Sequence, residues 1–216
     1  MSERELRLAL EAAKARLARA TKAVSKRGGM AEFGAAHEAM IAAERVLAAE
    51  LGEPYAVPLE FPVQWDIGAP LPHLIMDDSQ TFLIFFLSDT QLQRDGSDAA
   101  VANPGEERLA TVEFKGCASA KMGVPNDEVF EGHPLHGKGL VPYRPLRVLN
   151  SPWIRELEAI NSVHRQFRAD RWNTLSHYIF GFHDCTFECV TQSFVVQTAT
   201  VTITEALAAI FQPTVA

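Results

Sequence analysis

Apolar positions near the start of the chain recur with helical period. Leu6, Leu10, Ala13, Leu17, Ala20 and Val24 are spaced alternately by four and three residues. That is a heptad seam with small members, which lets a partner helix approach closely. Ser2 followed by Glu5 is a capping box that starts the helix. Lys22, Lys26 and Arg27 suit its negative end, and Gly28-Gly29 should stop it. A second helix is predicted from about Met30 to Leu51, with Phe33, Ala36, Met40, Ala43 and Leu47 on one stripe and Gly52 and Pro54 beyond it. Ile41 and Val46 lie off that stripe, which predicts a second buried side facing the rest of the chain.

After residue 52 the pattern changes to alternation. Val57–Trp65 is interrupted by Pro58 and Pro62 and suits an edge strand. His73–Met76, a turn at Asp77–Gln80 and Thr81–Leu87 predict a hairpin whose second arm, apolar on both faces, should be central and covered on both sides. Gln91–Glu107 contains Asp-Gly and Asn-Pro-Gly and reads as a surface loop, and Leu109–Phe114 returns as a strand. Residues 116–142 form a long Gly/Pro-rich stretch, a length that in a compact domain often marks a functional loop. Arg144–Leu149 is a further strand. Ser151 caps a helix with Pro152 at its first position, and Trp153, Leu157, Ile160, His164 and Phe167 mark its apolar face.

The strongest β pattern is His177–Val196. Tyr178, Phe180 and Phe182 point to one face, and His177, Ile179, Gly181 and His183 to the other. A hairpin turning near Asp184 is the preferred reading, with one long bulged strand as the alternative. Alternation from Phe187 to Val196 would put Glu188 on a face with Val190, Phe194 and Val196. Thr202–Glu205 is a second capping box that opens a short helix ending near Gln212-Pro213. The expected fold is therefore α+β: an N-terminal antiparallel helical hairpin, residues 1–52, packed on a mainly antiparallel sheet domain, residues 53–216, with one or two further helices.

Composition supports the division at about 52. Residues 1–50 hold 15 alanines and one aromatic, Phe33, whereas 18 of the 19 aromatics lie beyond. The net charge of −7 excludes a whole-molecule basic field for nucleic acid or an anionic membrane. The longest strongly apolar run, Phe82–Leu87, is too short to span a bilayer. The absence of an apolar leader behind Met1, with three cysteines of no paired spacing, predicts reduced thiols and a cytoplasmic location.

Five of the seven histidines fall between residues 133 and 183. His133 and His136 flank Pro134-Leu135, and they could share a metal if His183, Asp184 or Glu188 supplied a further ligand. No motif fixes a metal or a cofactor. The ordinary pKa of histidine suits a general acid/base near neutral pH, which makes His183 a candidate, with Asp184 and Glu188 as candidate assistants. Glu188 on an apolar face needs a partner, and Arg144, Arg147 or Arg155 could supply one. Cys185 or Cys189 beside His183 or His177 would be a Cys–His pair, although free cysteines are usually buried apolar groups. His164 on its apolar stripe reads as a hydrogen-bonded core residue. His133, His136 and His177 are the candidate ligand-binding residues. The 183–188 turn is expected to face the 116–142 loop and to place His183 in a pocket lined also by His133 or His136.

Two functions fit. One is a binding protein for a small molecule or a protein partner, with a histidine-bearing pocket and a possible homodimer through the helical hairpin. The other is a small-molecule enzyme, a metal-assisted hydrolase among its variants, with His183 as acid/base.

Overall fold

The computed structural model describes residues 1–24, 29–88 and 105–211. The helix stop at Gly28, the basic residues Lys26 and Arg27, most of the 91–107 loop and the end of the chain at Gln212-Pro213 lie outside the described residues.

The two N-terminal helices form where the periodicity places them, α1 at Glu3–Val24 and α2 at Met30–Glu50. The first capping box is closed: Ser2 N–H donates to Glu5 Oε2 at 2.7 Å and Glu5 N–H to Ser2 Oγ at 3.4 Å. Leu6 and Leu10 of α1 pack with Leu47, Met40 and Ala43 of α2. At the other end Arg16 makes two bonds to Glu32, so the helices run antiparallel.

The β strands are β1 (Tyr55–Pro58), β2 (His73–Met76), β3 (Thr81–Phe86), β4 (Glu107–Lys115), β5 (Ser119–Gly123), β6 (Pro145–Leu149), β7 (Ser176–Gly181), β8 (Thr186–Thr191) and β9 (Ser193–Val201). They build two antiparallel sheets, a five-stranded one in the order β1-β6-β7-β8-β5 and a four-stranded one in the order β2-β3-β4-β9. The expected hairpins β2–β3 and β7–β8 are present, and β3 is internal. Between the sheets lies the main core: Leu83, Phe85, Ala110, Val112 and Phe114 from one, Tyr178, Phe180, Phe187 and Cys189 from the other, with Trp65 and Phe182. The aromatic-rich alternation of β7 is thus explained by a face that meets a second sheet.

The outer face of the five-stranded sheet carries a second core. Ile41 of α2 joins Ala56, Leu146, Val148 and Ile179 with Phe130, Leu135, Leu140 and Val141 of the 116–142 segment. Gly181 is needed here, because a Cβ on it would stand 2.9 Å from Phe130 Cζ. α2 also holds the segment by polar contacts. Arg45 donates to the carbonyls of Ala56 (2.7 Å) and Gly139 (3.1 Å), and Gly139 N–H donates to buried Glu44 at 3.3 Å. Gly139, at φ +84°, sits so close that a Cβ would lie 2.5 Å from the Ala56 carbonyl oxygen. Two shorter helices follow, α3 (Pro152–Asn161) and the single turn α4 (Ala169–Trp172). The final helix, α5 (Ile203–Phe211), begins at the second capping box and covers Ile84 and Leu109 on the outer face of the four-stranded sheet.

Four expectations need correction. Val46 is 51% exposed, because the inward stripe of α2 runs through Ile41, Glu44 and Ala48 and position 46 falls about 140° round the helix from 41. His164 is exposed: α3 ends at Asn161, so the helical stripe does not continue to it, and its Nδ1 accepts from Gln166 N–H in a turn. The 116–142 stretch contains a strand, β5, which its glycine, lysine and short length concealed. Glu188 does not share a face with Phe194 and Val196. The chain crosses from one sheet to the other at Gln192, so Phe194 and Val196 turn into the main core while Glu188 and Val190 face outward.

Candidate functional site

Register sets the polar face of the five-stranded sheet. Ile179 pairs with Glu188 and Glu188 with Lys121, so Glu188 sits mid-sheet with Lys121 beside it and His177 diagonal to it. The residue is 7% exposed, and its carboxylate is engaged on both oxygens. His177 Nε2–H donates to Oε2 at 2.9 Å, and Lys121 Nζ lies 2.8 Å from Oε1. His133 Nε2 stands 3.7 Å from Oε1, beyond hydrogen-bond reach but close enough to favour the negative charge, while its Nδ1 accepts from Leu135 N–H. Burial alone would raise the Glu188 pKa. The surrounding His133, His177 and Lys121 outweigh that and hold it well below the usual carboxylate range.

The chain of contacts extends outward. With its proton on Nε2, His177 accepts at Nδ1 from the Ser151 hydroxyl at 2.9 Å, and Ser151 Oγ in turn accepts from Ile154 N–H as the cap of α3. The Trp153 ring stands edge-on to His177 at 5.2 Å, and Lys121 Nζ lies 4.7 Å from the Trp153 ring centroid. Ser151, His177 and Glu188 are linked as a hydroxyl–imidazole–carboxylate row, yet all three are buried. The row fixes α3 to the sheet and gives the Glu188 carboxylate a hydrogen-bond partner.

A second, open cluster occupies the β7–β8 tip. The turn closes with Phe182 N–H donating to the Cys185 carbonyl, which projects His183 outward with its side chain 44% exposed. His183 meets the 116–142 segment, as expected: Asp127 N–H donates to the His183 carbonyl, and Thr186 Oγ1 to the Pro125 carbonyl. The imidazole partner is Asp127, whose Oδ2 lies 3.0 Å from Nδ1. Tyr143 also donates its hydroxyl to Asp127 Oδ2, and that hydroxyl lies 3.2 Å from His183 Nδ1. Tyr143 reaches this place from a left-handed backbone at φ +60°, uncommon outside glycine, held by its N–H bond to the Gly181 carbonyl.

The hydrogen bonds from Tyr143 and His183 lower the Asp127 pKa, the bond to Asp127 pushes Tyr143 up to about 12, and the same carboxylate raises His183 above its ordinary value. His183 Nε2 is left toward solvent, with Asp184 Oδ1 the nearest carboxylate at 4.0 Å.

The expected site therefore divides. Glu188, His177 and His133 come together, and His183 does not join them. Its partners are Asp127 and Tyr143 rather than His133 or His136, because the tip carries it past the last paired residue, Gly181. His136 is exposed and Asp184 points outward. The arginines considered for Glu188 are not its partners; Arg144 pairs with Glu38 at 2.8 Å. Ser151, Lys121, Asp127 and Tyr143 were not among the candidates. Ser151 was legible only as a cap, and Asp127 is 56 residues from His183.

Among the described residues no group of three or more His, Cys, Asp or Glu is arranged to hold a metal ion, and no helix is long and apolar enough to cross a membrane. At Glu188 the Lys121 ammonium stands where a cation would bind. All three cysteines are free, and burial raises each thiol, Cys189 most, so none is activated as a nucleophile. No family model, curated protein or solved structure matches the chain.

Proposed function

We propose that the protein is an enzyme acting on a small molecule by proton transfer at His183. One observation carries this reading: Nδ1 is fixed by Asp127 at 3.0 Å, while Nε2 has no hydrogen-bond partner among the described residues on a side chain that is 44% exposed. A carboxylate on one ring nitrogen selects the tautomer whose other nitrogen is free to take a proton. For a hydrolysis, Nε2 takes a proton from water as its oxygen bonds to an acyl carbon. The resulting imidazolium, stabilised by Asp127, then returns the proton to the leaving group. Tyr143 donates to the same Asp127 oxygen that faces His183 and so fixes the carboxylate. The helical unit, residues 1–52, bears no part of this centre and supports it through the Glu44 and Arg45 contacts to Gly139.

The test is hydrolysis of a panel of activated esters across pH 5–9 by the wild type, His183→Gln and Asp127→Asn. The expected profile rises through an ionisation above 6.5, the direction in which Asp127 shifts His183. Asp127→Asn should move that ionisation down and lower kcat, and His183→Gln should remove activity. A rate no greater than buffer, or a His183→Gln variant equal to wild type, would refute the reading. The same shift makes a stability contribution that is complete below about pH 6.5 and lost as pH rises through the raised folded value.

Binding without turnover is the second reading. It is favoured by the side-by-side placement of His183 Nε2, a donor once the ring is protonated, and an exposed acceptor, Asp184, 4.0 Å apart. In that case a ligand would protect His183 from diethyl pyrocarbonate with no product formed. A homodimer through the helical pair belongs to this reading, with exposed Leu8 and Val46 as its apolar contacts; light scattering should then give twice the chain mass.

A further inference from the structure

Among the described residues the four-stranded sheet is covered unevenly. α5 lays Ala206, with Ile203, Leu207 and Ile210, over Ile84 and Leu109, and it is too short to reach the rest of that face. Between helix and sheet a groove of about 930 Å³ remains, a volume within the usual range for small organic ligands. It lies on the opposite side of the molecule from the polar face of the five-stranded sheet, so it is independent of His183.

Its two parts differ in chemistry. Ile75, Phe82, Ala209 and Ile210 give an apolar wall, extended outward by Phe211, which is 72% exposed. The floor is the cross-strand pair Thr111 and Gln197. The charges that line the groove are already engaged. Glu113 pairs with Lys115, Asp77 accepts from Ser79 N–H and Gln80 N–H, and Glu205 closes the α5 capping box. The Thr111 hydroxyl and the Gln197 amide have no hydrogen-bond partner among the described residues.

We propose that this groove binds an uncharged amphiphile, with an aliphatic chain against Phe82 and Ile210 and a hydroxyl- or amide-bearing head on Thr111 and Gln197. The head must be neutral because a charged one would lose water and find every complementary charge already paired. The chain follows from the apolar wall, whose exposed extension at Phe211 gains by being covered.

The test uses the full chain and N-phenyl-1-naphthylamine, an uncharged probe whose fluorescence rises in apolar sites. It is displaced in turn by octyl glucoside below its micelle concentration, octanoate and octylamine, three ligands of equal chain length. The expected result is displacement by octyl glucoside about tenfold better than by either ion, the discrimination of roughly one well-made hydrogen-bonded head. Ala209→Trp should abolish probe binding by filling the groove from an exposed helix position, with an unchanged far-ultraviolet spectrum. Should that variant fail to fold, Gln197→Leu serves: it should weaken octyl glucoside and leave the probe bound. Absence of probe binding, equal displacement by the ions, or a folded Ala209→Trp that binds like wild type would overturn the proposal.

Discussion

Glu188→Gln tests the buried polar row with least change of shape. In the folded chain the carboxylate accepts from His177 at 2.9 Å, is paired with Lys121 at 2.8 Å and has His133 at 3.7 Å. Glutamine keeps one acceptor for His177 but removes the charge that all three groups face. Breaking a fully buried pair costs about 3–5 kcal/mol. Lys121 is 59% exposed and its ammonium can regain water, so that end contributes as a surface pair, at most about 1 kcal/mol. The loss concentrated at His177 and His133 then gives about 2–3 kcal/mol for Glu188→Gln, a fall in Tm of roughly 4–12 °C for a chain of this size. The sign with pH follows from the lowered folded pKa. The contribution is present above the unfolded value near 4.3 and disappears as pH falls through the lower folded one. Urea unfolding at pH 7 and at steps from pH 5 to 3 measures both effects. The variant should unfold at lower urea at pH 7 and lose less stability on acidification. A variant with the wild-type midpoint at pH 7 and an unchanged acid slope would show that the row holds nothing together.

Leu10→Asp puts a charge in the α1–α2 seam, where Leu10 is 9% exposed, and should cost a few kcal/mol, on the order of 3, seen as earlier loss of helical signal on heating. Gly181→Ala drives a methyl against the buried Phe130 ring and Pro142; about 1–3 kcal/mol of overpacking should appear as a lower Tm. Thiol titration of the denatured, unreduced chain should find three free groups, and in the native state Cys189 should react last.

Most of the elements were legible because periodicity speaks through whole segments. The heptad of α1, the caps at Ser2, Ser151 and Thr202, and the turns at Asp77 and Asp184 all act within a few residues, and each is where the pattern puts it. What escaped depends on who meets whom. β5 has too few apolar residues to announce itself, and it is a strand because β8 offers it an edge to pair with. The change of sheet at Gln192 reverses which face Phe194 occupies without altering the alternation at all. At the site, the need of Glu188 for a partner was readable from its apolar neighbours. The choice of Lys121 and His177 over three arginines was not, because register decides it. His183 could be singled out from its place at a turn, but Asp127 and Tyr143 reach it only through the fold of the 116–142 segment.

The Glu44–Arg45 clamp also bears on the order in which the molecule assembles. The two helices make contacts close in sequence and can form as soon as they leave the ribosome. Gly139 and Glu44 are separated by 95 positions, so their bond waits until most of the chain is present. An early-formed helix pair would then display Ile41, Glu44 and Arg45 unmet, a receptor formed in advance for a segment still to be made. Because the segment it receives carries both Asp127 and His133, the two polar clusters should acquire their geometry in the last step of folding, and pulse-labelled exchange at the Gly139 amide would time that step.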